Sequence, residues 1–369
     1  MTLDHFVRWM YALKGLWAVV AALIVGAFLV VLAGANPLEA YAALLRGGLF
    51  DYYGFANALV RLCPILLVSL AVIIPLRAGF FNIGGEGQVY VGALFGTVAA
   101  LYLPQAIPAV IRLVLICLSG AVGGALWALI PAVLKVYRGT NEIITSLLLS
   151  YVGANVVGGI IHVYLMEPGA PYPYTREIPF DATLPIFLPR TEAHIGILIA
   201  VALALIFGTV MKRSTFGLSV ETVGHNPVAA AYAGVSIRQT AISAFVIGGA
   251  LAGLAGIFEV VGVKYRLFDH FSPGYGFQGA IVAFLAGLNP RTAIFAAMFL
   301  AVLQAGAGSM QRAVGVDTMM VGALQGLVVL FVAVGLAFRY RPRVTTASAP
   351  KAPPAPAVGI VPANSKVPE

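Results

Sequence analysis

The sequence predicts an all-α, polytopic membrane protein of about ten transmembrane helices. Three observations carry this. Hydrophobic residues fill 60% of the 369 positions and charged residues only 10%, where a soluble domain carries about 25% charged residues. Mean hydropathy is +0.96. The apolar residues also fall into runs close to the about 20 residues that a helix needs to cross roughly 30 Å of hydrocarbon. Lipid must therefore be the solvent for most of the chain, and composition alone argues against a soluble enzyme.

In chain order the runs lie near 15–34, 56–78, 87–104, 109–134, 143–163, 194–211, 240–262, 277–289, 292–308 and 318–338. The first follows Arg8 and Lys14 and ends on Ala33-Gly34-Ala35, as a signal peptide would. Its apolar core exceeds the usual stretch of about 7–15 residues, so it is read as retained. The runs at 277–289 and 292–308 are short, and one re-entrant hairpin is the alternative for that pair. Three pairs of glycines spaced four apart, Gly120 and Gly124, Gly249 and Gly253, Gly322 and Gly326, mark surfaces where helices can approach closely in lipid.

Orientation follows from basic residues, which cytoplasmic loops retain. With the N-terminus inside, fourteen Lys and Arg fall in cytoplasmic segments and eight outside, while five acidic residues fall inside and nine outside. The net charge of +8 is then a signature of topology, with both termini cytoplasmic, and not a footprint for nucleic acid. Residues 1–343 are read as one transmembrane domain. Residues 344–369, rich in Pro and Ala, read as a disordered cytoplasmic tail. Two connections are long. The stretch 164–192 lies outside and suits docking of an extracytoplasmic partner; the stretch 212–239 is cytoplasmic. Gly85-Glu86-Gly87 and Gly274-Tyr275-Gly276 each open a short apolar run, on opposite faces, as two inverted halves would.

Three constellations stand out. In Arg77 to Tyr90, four glycines accompany Asn82, Glu86 and Gln88; this is either a broken helix beside a transport path or a solvated cytoplasmic turn. Glu86 discriminates, because a carboxylate at membrane depth needs water or a partner. From Gly139 to Asn155, Glu142, Ser146 and Ser150 share one helix face, with Thr145 and Asn155 nearby, and Thr140 or Asn141 placed to cap the start. The stripe should face the bundle interior or an aqueous path. In the third, Gly224 to Gly234, Asn226 is an N-cap, Pro227 suits the first helical position, Ala229 to Ala233 favour helix and Gly234 ends it. A short small-residue helix outside the membrane suits insertion into a groove on a partner.

Catalytic motifs are absent. The sequence contains no phosphate loop, no His-Glu-x-x-His and no Gly-x-Ser-x-Gly. Its five histidines are scattered, with only Glu221 at helical spacing from His225. No Cys/His cluster has metal-ligand spacing, and Cys63 and Cys117 both lie in apolar runs. No cofactor or metal is expected, and the chain is read as a non-enzyme. An ion-coupled secondary transporter would have to use Glu86 with Glu142, the only carboxylates read as candidates.

Leu76 to Gln88 (Leu-Arg-Ala-Gly-Phe-Phe-Asn-Ile-Gly-Gly-Glu-Gly-Gln), Gly139 to Tyr151 (Gly-Thr-Asn-Glu-Ile-Ile-Thr-Ser-Leu-Leu-Leu-Ser-Tyr) and Gly217 to Gly234 resemble ABC importer permeases of the branched-chain amino acid and ribose permease superfamily. Within it the chain is most similar to the nucleoside subgroup that works with a basic-membrane-protein-type lipoprotein, over roughly residues 15–340. The resemblance implies a multi-pass protein of the bacterial inner membrane, one half of a heterodimeric pore with a second permease. A cytoplasmic ABC ATPase would drive it and an extracytoplasmic substrate-binding lipoprotein would feed it. It maps the coupling helix onto Glu221, Gly224, Asn226, Ala229, Ala230 and Tyr232. The path for a small polar solute would draw on Asn82, Glu86, Gln88, Asn141, Glu142, Ser146, Ser150 and Asn155. Nucleosides fit aromatic and amide groups such as Phe81, Tyr90, Tyr151, Asn82 and Gln88, while ribose, another simple sugar or a branched-chain amino acid would use similar groups. Ser150 departs from the Asn usual in this subgroup, which bears on nucleoside specificity, and the Pro-rich tail is not a family feature.

Overall fold

The computed structural model describes residues 14–317 and 319–337; the expected tail at 344–369 lies outside the described residues. The chain forms helices α1 (Lys14–Leu32), α2 (Pro37–Leu45), α3 (Tyr52–Arg77), α4 (Gly85–Tyr102), α5 (Ala109–Arg138), α6 (Glu142–Ile160) and α7 (Gly196–Arg213). It continues as α8 (Thr215–His225), α9 (Pro227–Tyr232), α10 (Ile237–Glu259), α11 (Tyr275–Leu285), α12 (Pro290–Val314) and α13 (Met319–Ala337). Single π-turns extend α2, α6 and α10. Among the described residues there is no sheet, only three isolated β-bridges.

All ten predicted runs are helical, but they are not ten equivalent crossings. Among the described residues six helices are long and apolar enough to span a bilayer: α3, α5, α6, α7, α10 and α12. Val20–Leu32 and Pro37–Phe50 pass only as a pair bent by 118°, which would make seven. The bend was not foreseen, although its signals are local. Gly34 takes a left-handed φ of +80°, the Asn36 side chain accepts from Leu38 N–H, and Pro37 opens α2. At 11 residues, α11 is about 16 Å long and cannot cross alone.

The core is α3 with α4 and α10, wrapped by α5, α6, α7, α11 and α12. The outward faces of α5 (Val114, Leu118, Val122) and α6 (Leu148, Val152, Val156) remain exposed and apolar, as lipid-facing surfaces do. Two of the three predicted glycine pairs lie where α4, α5 and α10 cross. A Cβ on Gly253 would strike the Gly120 carbonyl, one on Gly124 the Gly249 carbonyl, and one on Gly92 the Gly253 backbone. The third pair behaves differently: Gly322 and Gly326 face open space and seat no helix of this chain.

Let the end carrying α8 and α9 be lower and the end carrying 164–192 be upper. At the upper end, Tyr52 donates to the Pro189 carbonyl at 2.9 Å; from there α3 descends to Arg77, which pairs with Glu221 of α8. The chain turns at Gly79, beside Gly224, and climbs until Gly85 lies against Val68. Val68 is roughly 13 Å up α3 from Arg77, so α4 starts inside the bundle and continues to the upper end. A later segment enters the bundle from the opposite end. After α10 rises, residues 265–274 descend until Gly276 meets the Glu86 backbone. Below that point α11 runs down toward Arg291, which donates to Thr209 of α7 at 3.0 Å. The two glycine-led openings expected on opposite faces are both drawn inward and abut, N-terminus to N-terminus. Their non-helical leaders of seven to ten residues are long enough, at up to about 3.3 Å per residue.

The upper connection 164–192 is tied down. Thr175 N–H donates to the Leu267 carbonyl at 3.0 Å, Ile178 N–H to Tyr265 at 2.9 Å and Asp269 N–H to Pro173 at 3.0 Å. Arg266 pairs with Glu167 and Glu177 and stacks 5.2 Å from the Tyr174 ring. Arg112, 1% exposed, pairs with Asp181. The loop is thereby zipped to the strand that leads down to α11.

At the three-helix crossing, Gly253→Val inserts side-chain atoms against backbone that cannot yield, and its expected cost is about 1–3 kcal/mol. Gly322→Val, in open space, should change stability by less than about 0.5 kcal/mol. Equilibrium unfolding of both variants in mixed micelles checks the contrast.

Candidate functional site

The break before α4 is held by side chains that the sequence marked. Asn82 Oδ1 accepts from Gly84 N–H at 3.1 Å and Gln88 Nε2 at 3.0 Å, while Asn82 Nδ2 donates to Gln88 Oε1 at 3.2 Å. Ile83 N–H donates to Ser146 Oγ at 3.2 Å, and Ser150 Oγ donates to the Ile83 carbonyl at 3.4 Å. Gly87 lets α6 approach closely enough for Trp127 Nε1 to donate to Leu149 O at 3.1 Å beside it. Non-helical backbone inside a bilayer persists only where protein satisfies it in this way.

Glu86 faces the other broken helix. Its Oε2 accepts Gly276 N–H at 2.6 Å. The N-terminus of α11 carries unpaired N–H groups and a partial positive charge, and a carboxylate 190 positions earlier in the chain complements both. Ser272 Oγ accepts Gly274 and Tyr275 N–H at 3.3 and 3.2 Å. Tyr90 packs on Phe271 with ring centroids 4.9 Å apart and accepts Ser272 N–H at 3.4 Å.

The polar stripe of α6 therefore points into protein and meets the junction. Asn82, Gln88, Ser146 and Ser150 are buried and bonded to one another or to backbone. Glu142 sits near the lower end, paired with Lys135 at 2.8 Å. Asn141 is the N-cap of α6, accepting from Ile143 and Ile144 N–H. Asn155 is exposed and donates to the Tyr151 carbonyl at 2.8 Å; Phe81 and Tyr151 are exposed as well.

At the lower end, Asn226 caps α9 by accepting Val228 and Ala229 N–H, and Pro227 opens that helix. Ala230 is buried, Ala229 and Val228 are exposed, and Tyr232 is 90% exposed. Glu221 uses its side chain on Arg77, so His225 meets only its backbone carbonyl, at 2.8 Å. A Cβ on Gly224 would strike the Arg77 carbonyl. The α8–α9 knob is thus seated on the foot of α3, where the leader to Glu86 begins.

Two polar residues, Glu259 and Arg61, were not singled out from the sequence. Glu259, the last residue of α10, is 4% exposed, so Glu86 and Glu142 are not the only interior carboxylates. Arg61 donates to Asn57 Oδ1 at 3.2 Å and Gln304 Oε1 at 3.3 Å. A carboxylate closing an otherwise apolar run was the available signal for Glu259.

Residues 54–333 match the family described as the branched-chain amino acid transport system permease component. The chain belongs to this permease family. The match runs from α3 into α13 and so holds both broken helices and the lower knob. The permease is 38% identical over 334 residues to a glucose ABC transporter permease protein of Haloferax volcanii, covering 88% of this chain and 87% of that one. It is 32% identical over 341 residues to a guanosine ABC transporter permease protein of Bacillus subtilis, covering 90% and 96%. With a nucleoside ABC transporter permease protein of Lactococcus lactis subsp. cremoris it shares 30% identity over 328 residues, covering 86% and 89%. No solved structure matches the permease.

Replacing Glu86 by Leu strands the N–H groups at the start of α11, with an expected loss of about 1–3 kcal/mol. Glu86→Gln keeps an acceptor oxygen and should lose less. The two are compared by unfolding of the purified permease in graded SDS.

Proposed function

We infer that the permease is the membrane-spanning subunit of an ATP-binding-cassette importer that moves nucleosides and hydrolyses no ATP itself. The observation that carries this is the seating of the α8–α9 knob on Arg77, at the foot of the strand leading to the paired half-helices. An engine docked on Tyr232 and Ala229 would displace that strand, and broken helices meeting at mid-depth are a common place for solute control in transporters. Family membership supports the class, and the guanosine and nucleoside permeases among the relatives support the cargo.

In this reading the lower end is cytoplasmic. The excess of Lys and Arg there supports it, as do the directions of α1 and α13: Ala22 clusters with Leu285 and Phe331 near the lower end, and Val30 with Met310 and Val321 higher up. Both termini are then cytoplasmic, and ten helices lie at membrane depth, α11 being the short one; eight of them make two inverted groups, α3 to α6 and α10 to α13. The permease domain is 1–343, with 344–369 as an appended tail. The partners are a cytoplasmic ATPase on the knob, a second permease completing the pore, and an extracytoplasmic binding lipoprotein on the zipped upper loop, in a bacterial inner membrane. Asn82, Gln88, Ser146 and Ser150 shape the path by holding the break open, and Glu86 governs its alignment.

A sugar is the second reading of the cargo, favoured by the glucose permease at 38% identity. Radiolabelled uptake competed by guanosine, glucose and leucine separates the cases. Guanosine alone should compete strongly, and competition by leucine alone would refute both.

Ala229→Arg places a long charged side chain on the exposed side of α9 and should lower uptake at least about ten-fold, roughly 1.4 kcal/mol of coupling, while the bundle stays folded. Wild-type uptake with normal ATPase stimulation in that variant would remove the knob from the mechanism. Labelling a cysteine placed at Val228 from the periplasmic side would overturn the orientation.

A further inference from the structure

Above the break, α4 climbs beside α6 and the two helices part. At Gly87 and Gly153 they are nearly in backbone contact, since a Cβ on Gly153 would lie 3.0 Å from the Gly87 Cα. Seven residues further up each helix, about 10 Å, Leu94 and Ile160 line a groove of about 440 Å³ instead. The groove follows the upper half of α4 from Leu94 to Tyr102, about 12 Å. Of its lining, only Ser119 of α5 and Tyr102 carry polar side chains. Ser119 Oγ donates to the Phe95 carbonyl at 3.0 Å, so its hydrogen is spent within the protein. Tyr102, 69% exposed, stands at the upper mouth as the last residue of the helix. A polar solute would find little to bond between Leu94 and that mouth.

The groove opens onto the lipid-facing surface described above. Phe95 and Val98 on its α4 wall are more than a third exposed, and Leu115, Leu118 and Val156 on the neighbouring helices continue the same apolar face. Its length is close to the about 15 Å of hydrocarbon in one leaflet, and Tyr102 sits where aromatic side chains collect at the membrane–water boundary. A helix about 10–12 Å across fills at least about 900 Å³ over that length, roughly twice the groove, so a neighbouring subunit could not seat one in it. A void between helices forfeits dispersion contacts along its whole lining, and in a bilayer an acyl chain is the group at hand to restore them.

We propose that this groove is a binding site for one acyl chain of an upper-leaflet phospholipid, wedged between α4 and α6. The chain braces the upper half of a helix whose lower end is the break at 78–84. Glu86 lies at that lower end, so a chain held here steadies the angle at which Glu86 meets α11. The lipid is then a structural ligand of the broken helix, whatever solute the importer moves.

The test is photolabelling of the complete importer in vesicles of phosphatidylethanolamine and phosphatidylglycerol, with a trace of phosphatidylcholine that carries a diazirine midway along one acyl chain. Peptide mapping compares label at the groove (Val98, Ser119) with label on the open face of α5 (Val122, Leu126). The groove should exceed the open face by at least about five-fold, equivalent to about 1 kcal/mol of preference. Ala99→Phe fills the groove and should bring the ratio to about one, with labelling at Val122 unchanged. If Ala99→Phe does not accumulate, Val98→Phe, at a partly exposed position, should lower the ratio in the same way, read at Ser119. A wild-type ratio near one, or an unchanged ratio in the folded variant, overturns the site. Strong labelling of the groove in the isolated permease that vanishes in the complete importer would assign the groove to the second permease and overturn it as well. None of these readouts requires transport, so the importer reading stands or falls separately.

Discussion

The fold depends on one constraint: backbone that leaves helical geometry inside a bilayer must find its hydrogen-bond partners within the protein. Two segments, 78–84 and 265–274, do so here, and the packing around them answers to that need. The first is satisfied by amide and hydroxyl groups from its own sequence and from α6, and the second by Glu86, Ser272 and the upper loop. Polar residues that would destabilise an ordinary membrane helix are retained because each has a backbone group to serve.

Close approach makes that service possible. Side chains as short as serine can reach Ile83 only because Gly87 and Gly153 bring α4 and α6 nearly into backbone contact. The crossing of α4, α5 and α10 uses the same device to hold the surrounding frame. In hydrocarbon there is no hydrophobic drive between helices, so contact area gained by removing side chains must replace it. Glycines such as Gly87, Gly92, Gly124 and Gly253 are in this sense structural.

Much of this was legible in the sequence. Ten apolar runs mark ten helices; Asn141 and Asn226 announce their caps, and Asn226 to Gly234 outlines α9 closely. The glycine-led openings at 85 and 274 stood out in the sequence, and in the fold the two helix starts abut. What escaped was depth. Hydropathy reports composition, so the run at 277–289 looked like a crossing, although α11 begins partway down. The polar stripe of α6 was visible, but the partner that it serves, Ile83, is more than sixty positions away, and no periodicity encodes such a contact. Arg61 escaped for the same reason, since it is one polar residue in an apolar helix and its partner Gln304 lies 243 positions away.

The two descending and ascending leaders finish on the same carboxylate, one fastened at its far end to the knob below, the other to the zipped loop above. That arrangement makes the molecule a pair of levers sharing a single pin. Reciprocity then applies: whatever factor a ligand on the lower surface imposes on affinity at the upper surface through this pin, a ligand above must impose below. A machine with its two faces joined at Glu86 has no need of a long relay of rearranging side chains between them, and its two ends are obliged to exchange information symmetrically.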